Sequence, residues 1–159
     1  MEQGIRFRML GEDEFDSLKK LFPGDEEIWK KYRAERMNLL ANKEIDVFVI
    51  EAETGMIGEI TVYYTSHELQ TETIPGRRVY LSAYRLEEAY RGKGLGQKLL
   101  DYVLKVMEAK GYTEFTIGVE DDNEIAKHIY FKYGFVDPID HGYGDEFDPS
   151  EYTLYLNAR

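Results

Sequence analysis

Between residues 79 and 111 a strand-like run, a glycine-rich turn and an amphipathic helix follow one another without interruption, and no other stretch limits the fold as tightly. Val79 to Leu86 reads as a strand. Leu95, Leu99, Leu100, Val103, Leu104 and Met107 then recur at helical spacing and lay one apolar face along a helix, with Gly111 suited to the residue after its end. The junction is Arg91-Gly92-Lys93-Gly94-Leu95-Gly96. Alternate glycines remove side chains, so backbone amides can approach an anion, and the helix N-terminus adds partial positive charge. Arg91 and Lys93 add two full charges in a chain whose net charge is −11. This is a design for gripping a pyrophosphate. Two phosphate loops are excluded by spacing. The dinucleotide fingerprint G-x-G-x-x-G would need glycine at Gln97, and no glycine here precedes the Lys-Ser or Lys-Thr pair of the P-loop. What fits is R-x-x-G-x-G, with Arg91, Gly94 and Gly96; the competing reading is a turn that binds nothing.

A chain of 159 residues with 43% apolar and 14% aromatic content predicts one folded α/β domain spanning residues 1–159. There is no cysteine, which removes disulfides, a thiolate nucleophile and thiolate metal ligands. The start Met1-Glu2-Gln3-Gly4-Ile5-Arg6 lacks a signal-peptide apolar core, and no apolar run approaches the ~20 residues of a membrane span. A soluble, cytoplasmic chain is expected, without a membrane partner. The acidic balance argues against nucleic acid and favours cationic partners. Acid clusters stand at Glu120-Asp121-Asp122 and Asp145-Glu146-Phe147-Asp148. His67, His128 and His141 are far apart and lack metal-ligand spacing, so no metal is expected.

The remaining pattern gives the order β-α-α-β-β-β-α-β-α-β. Ile5, Phe7 and Met9 alternate in a first strand; Phe15, Leu18, Leu21 and Phe22 fall at helical spacing before Pro23-Gly24; Ile28, Trp29, Tyr32, Leu39 and Leu40 mark a second helix. Trp29 and Tyr32 read as core in preference to an acceptor pocket. Ile45–Glu51 and Met56–Thr65 form a hairpin around Glu53-Thr54-Gly55, and 66–77 reads as a polar loop. Phe115, Ile117 and Val119 make a fifth strand. Asn123 opens a short helix that Gly134 ends, 137–150 reads as loop, and Tyr152, Leu154 and Leu156 alternate in a last strand.

A second motif lies in that short helix: Asn123-x-x-Ala126-x-x-x-Tyr130-x-x-x-Gly134-Phe135. The spacing places Asn123, Ala126 and Tyr130 along one side, where a phenol could donate a proton. Plain aromatic packing of Tyr130, Phe131, Tyr133 and Phe135 is the alternative. Together the two motifs resemble the GNAT superfamily of N-acetyltransferases, most densely over 79–136. The resemblance implies a mixed, mostly antiparallel central sheet splayed between the fourth and fifth strands and flanked by helices, with acetyl-CoA as the acetyl donor and no metal. It implies that backbone groups of Arg91, Gly92, Lys93, Gly94, Leu95 and Gly96 bind the pyrophosphate. Tyr84, Arg85 and Leu86 would run beside the pantetheine arm, Asn123 would contact its end, and Tyr130 would protonate the leaving thiolate. One departure is Glu88, where the family often has proline before its Tyr-Arg-Gly.

No motif fixes a general base. Glu59, within a strand, and Glu120, just past another, are the candidates; a solvated surface carboxylate, or a water relay, is the competing reading for each. The expected activity is direct acetyl transfer to a primary amine, with a cationic acceptor suggested by the charge. A catalytically silent acyl-CoA-binding module on the same fold is the alternative. The acceptor, the strictness for acetyl, and the oligomeric state (a homodimer included) stay open.

Overall fold

The computed structural model describes residues 4–144 and 150–159. Residues 1–3 and the acid cluster Asp145-Glu146-Phe147-Asp148 lie outside the described residues. The chain forms two compact units: Met1–Val62 with Ala83–Met107, and Tyr63–Ser82 with Glu108–Arg159.

In the first unit, β1 (Arg6–Met9) pairs antiparallel with β2 (Ile45–Ala52), from Arg6↔Glu51 to Met9↔Phe48. A tight turn with Gly55 at φ 118° leads into β3 (Gly55–Tyr63), and β4 (Arg78–Leu86) lies beside β3. From Met56 to Tyr63 every residue of β3 is buried, as a central strand covered on both faces requires. The first predicted helix is a correction: Glu12–Leu21 is a 3-10 helix. Phe15, Leu18 and Leu21 are three residues apart, and residues i and i+3 eclipse in that helix, so period three aligns Phe15 and Leu18 on one buried line. Then α1 (Glu26–Ala41) starts at Asp25, whose carboxylate accepts the Ile28 amide at 2.9 Å. Its buried face is Trp29, Tyr32, Arg36 and Leu40. The amphipathic helix after the glycine turn, α2 (Leu95–Ala109), buries all six predicted apolar positions. Truncating one of these, Leu99→Ala, would cost about 2–5 kcal/mol.

In the second unit, the first half of β4 pairs parallel with β5 (Glu114–Glu120), from Arg78↔Glu114 to Leu81↔Ile117. β5 pairs antiparallel with β7 (Glu151–Ala158) along its whole length. The predicted loop over 137–150 is the second correction. Asp137–Tyr143 is a strand, β6, antiparallel to β7 with an irregularity between Pro138 and Asp140. Pro138 stands on an edge strand and at this irregularity, the two settings in which a strand tolerates a missing amide. The strand order is β1-β2-β3-β4-β5-β7-β6, so β4–β5 is the parallel step in a mostly antiparallel sheet. α3 (Glu124–Lys132) follows β5, capped by the Asn123 carboxamide, which accepts the Ala126 amide at 3.0 Å. The polar loop over 66–77 holds a short 3-10 turn, Gln70–Glu72, and is less exposed than its composition suggested. Glu72 is fully buried, and its Oε1 accepts the amides of His67 (2.7 Å) and Glu68 (3.3 Å).

Candidate active site

The glycine turn is built as an open backbone surface. Gly92 and Gly94 take φ of 79° and 78°, the left-handed region that favours glycine, and a Cβ at either would meet nothing within 4 Å. Conformation, not crowding, therefore demands glycine at both. Gly96 is different: a Cβ there would lie 3.0 Å from the Tyr84 hydroxyl. That hydroxyl donates to the Gly96 carbonyl and ties β4 to the first turn of α2. The Arg91 Nε donates to the Leu86 carbonyl at 3.1 Å, and the Lys93 ammonium lies 5.7 Å from the centre of the Tyr90 ring. Arg91, Gly92, Lys93 and Gly94 are exposed. The first intrahelical bond of α2 runs from the Lys98 amide to the Gly94 carbonyl, so the amides of Leu95 and Gly96 have no acceptor within the helix. Two cations, two left-handed glycines and a helix start thus stand on one exposed turn, which is chemistry for a phosphate ester.

Beside it, β4 alternates its side chains. Tyr84 reaches Gly96, and Leu86 lies next to Gly58 of β3. Arg85 goes to the other face. There its guanidinium lies 5.6 Å from the Phe22 ring centre and 5.4 Å from that of Tyr32. Its Nη1 donates to the Tyr32 hydroxyl at 3.3 Å and stands 3.7 Å from the Glu59 carboxylate. At the start of this segment Ala83 has φ 52°, a strained conformation for a residue with a Cβ.

Glu59 corrects the reading of a solvated surface carboxylate: it is 2% exposed, midway along β3. Burial pushes its pKa up from 4.5 to about 7, against the opposing pull of the Arg85 and Arg36 guanidiniums. Desolvation wins because the carboxylate loses its water while the Arg85 contact is long. Arg36 is itself buried, with Nη1 on Glu35 at 2.7 Å and its guanidinium 4.5 Å from the Tyr32 ring centre. Sequence reasoning missed both arginines as partners of Glu59. One signal existed: Arg36 interrupts the apolar face Trp29, Tyr32, Leu40. The expectation that Trp29 and Tyr32 are core holds; both are buried in a cluster with Phe15 and Phe22.

The second unit carries the other predicted residues. Asn123 spends its side-chain oxygen on the α3 cap. Tyr130 is partly buried, edge-on to Phe135 with ring centres 6.2 Å apart, and burial alone pushes its phenol up to about 12. Of the aromatic-core alternative, Phe135 is fully buried, Phe131 is exposed, and Tyr130 and Tyr133 lie between them. Glu120 ends β5 half-exposed, its carbonyl accepting the Asn123 amide at 3.0 Å. The histidines are not all isolated. His141 Nε2 meets the Asp121 carboxylate at 2.8 Å, and Asp121 also accepts the Thr153 hydroxyl at 2.7 Å. Ligand atoms of Asp121, His141 and Glu151 lie within 4.8 Å of one another at the surface. Strands β6 and β7 bring them together, which no spacing along the chain could show.

Comparison with known proteins bears on this arrangement directly. The chain is 33% identical over 82 residues to mouse thialysine N-epsilon-acetyltransferase, covering 52% of this chain and 48% of that protein. It is 33% identical over 82 residues to N-alpha-acetyltransferase 30 of Schizosaccharomyces pombe, covering 50% and 55%. The chain thus spans about half the length of the curated relatives it matches. In fold it is similar to the PaiA N-acetyltransferase of Thermoplasma acidophilum, solved with coenzyme A, with a TM-score of 0.67 and 20% identity over 100% of both chains. The acetyltransferase (GNAT) family model matches residues 12–135, a span that includes the glycine turn, Glu59 and Tyr130. The chain belongs to the acetyltransferase (GNAT) family.

Proposed function

We propose that this chain is an N-acetyltransferase that takes the acetyl group of acetyl-CoA and passes it directly to a primary amine. The observation that carries the reading is the exposed turn from Arg91 to Gly96, with Gly92 and Gly94 left-handed at the start of α2. The donor's diphosphate fits that turn: amides of the turn and of the first helical residues would donate to it, and Arg91 and Lys93 would balance its charge. A solved fold neighbour holds coenzyme A. Residues Tyr84, Arg85 and Leu86 would offer the backbone of β4 to the pantetheine arm.

Acetyl-CoA supplies an activated thioester carbonyl. The amine nitrogen forms the new C–N bond as the C–S bond breaks, so one proton must leave the amine and one must reach the sulfur. An alkylamine with pKa near ~10 is almost wholly protonated at neutral pH, so something must take its proton. Glu59, at about 7, holds the right basicity near neutrality, directly or through water; Glu120 is the second candidate. Tyr130 would give the proton to the thiolate. At about 12 its phenol stays protonated at neutral pH, but transfer to a thiolate of pKa near ~8.5 is then uphill, which limits its share of the acceleration. Asn123, held by its capping bond, would face the end of the pantetheine arm. We take the acceptor's amine to be cationic in solution, in keeping with the net charge of −11.

Free-thiol release from acetyl-CoA with a panel of amines tests the activity. Calorimetry tests the placement: Gly94→Glu imposes a strained φ and a like charge, and its acetyl-CoA affinity should fall by at least about tenfold. An unchanged affinity in the folded variant removes the donor from this turn, and binding without thiol release for any amine leaves a silent acyl-CoA-binding module.

A further inference from the structure

The Arg85 guanidinium is only partly used by the protein. Both of its polar contacts come from Nη1, to the Tyr32 hydroxyl at 3.3 Å and to Glu59 at the long distance of 3.7 Å. No described residue engages Nε or Nη2. The side chain keeps 26% of its surface in contact with solvent, while the carboxylate behind it is 3% exposed. The plane is held by two aromatic rings, Phe22 and Tyr32, with centres 5.6 and 5.4 Å from its carbon. A stacked guanidinium loses little freedom on binding, and its Nε–Nη2 edge is the fork that matches a carboxylate with two parallel hydrogen bonds.

The local charge agrees. Arg36 is matched by Glu35 at 2.7 Å. Glu59 is held near neutral by burial and returns less than a full negative charge to Arg85 around pH 7. This face of β4 is therefore cationic within a chain that is acidic as a whole. Bulk acidity attracts amines from solution, but it does not set what the site holds at close range.

We propose that Arg85 is a specificity residue that grips a carboxylate on the acceptor, so that the preferred substrate is an amine that also carries a carboxylate. This rests on the proposed acetyl transfer, because it is the acceptor that would lie along the face of β4 opposite Tyr84 and Leu86. Carboxylate and amine then have separate anchors: Arg85 fixes one end, and the other is left to lose its proton.

Binding of two matched pairs tests this: 6-aminohexanoate against pentylamine and 4-aminobutyrate against propylamine. Calorimetry is run on the protein saturated with coenzyme A, and thiol release is read with acetyl-CoA. Wild type should bind the better amino acid about 10- to 100-fold more tightly than its amine partner, the range for a charged hydrogen-bond pair. Arg85→Gln should abolish the preference, and Arg85→Lys, which keeps the charge but loses the fork, should retain only part of it. Glu59→Gln removes the competing carboxylate and should tighten the amino-acid probe several-fold. Equal binding of amine and amino acid in wild type overturns the proposal. So does a preference that survives in Arg85→Gln, and so does an Arg85→Gln variant that weakens coenzyme A while keeping the preference. A preference lost in Arg85→Gln supports the anchor whether or not thiol appears; thiol release with no amine at all strikes the acetyl-transfer reading alone.

Discussion

Two carboxylates with cationic neighbours behave in opposite ways in this protein. Glu59, on β3, has Arg85 and Arg36 near it, yet its pKa rises to about 7. Asp121, after β5, has His141 and Lys127 near it, and its pKa falls. The difference is water. Asp121 stands at the surface, loses almost no hydration, and gains hydrogen bonds from His141 and Thr153. Glu59 loses nearly all hydration, and a contact of 3.7 Å does not restore it. Tyr130 follows Glu59, not Asp121: burial raises its phenol as well. The lesson is that a counter-charge predicts the direction of a shift only once burial is known, and that a carboxylate poised near neutrality is found where desolvation exceeds pairing.

The largest effect should come from the group raised by burial alone. Tyr130→Phe keeps the ring and loses the proton, and because the transfer is uphill turnover should fall by about a hundredfold, the lower end of the ~10²–10⁴ range of general acid catalysis, while the fold persists. Turnover equal to wild type under conditions where chemistry limits the rate would return Tyr130 to packing.

Glu59 comes next. In wild type kcat/KM should rise with pH through about 7, and Glu59→Gln should lose that limb and about tenfold or more of the neutral rate. If the limb survives in Glu59→Gln and vanishes in Glu120→Gln, the base is Glu120. The same pair of proteins sharpens the comparison through stability. The folded state holds the Glu59 proton more tightly than the unfolded chain, so wild type should lose stability relative to Glu59→Gln as pH rises from 4.5 to about 7. The full change is on the order of 3 kcal/mol. Denaturant unfolding across that window measures it; a flat difference would mean that Glu59 is ionised at little cost.

The smallest effect belongs to the surface pair. His141 is raised above 6.5 by the Asp121 carboxylate, so the stability it contributes is present below that value and is lost as pH rises through the folded pKa. Asp121 contributes stability above 3.8 that is lost as pH falls through its lowered pKa. NMR titration should place the His141 midpoint above 6.5, and Asp121→Asn should bring it down with almost no change in unfolding midpoint.

Short-range patterns carried most of the framework. Apolar residues at helical spacing defined α2, glycine chemistry defined the turn before it, and Asn123 and Gly134 bounded α3, because each depends on neighbours within one or two turns of chain. Period three in Phe15, Leu18 and Leu21 was visible, but period alone did not separate a 3-10 helix from an α-helix. The edge strand β6 was hidden because its proline and glycine read as loop signals; only pairing with β7 makes Asp137–Tyr143 a strand.

By itself, then, the sequence determined the turn from Arg91 to Gly96, the helix behind it, the motif around Tyr130 and, through these, the family. Those signals are local: backbone conformation, capping and periodicity act between residues close along the chain. The tertiary structure decided everything that depends on solvent and on distant partners. It buried Glu59 and moved its pKa to about 7, turned Arg85 across two aromatic rings, and brought His141 to Asp121. Burial and the pairing of charges are set by segments tens of residues apart, and an isolated Ile57-Gly58-Glu59-Ile60 holds no record of which arginines will stand beside it or of how much water it will lose.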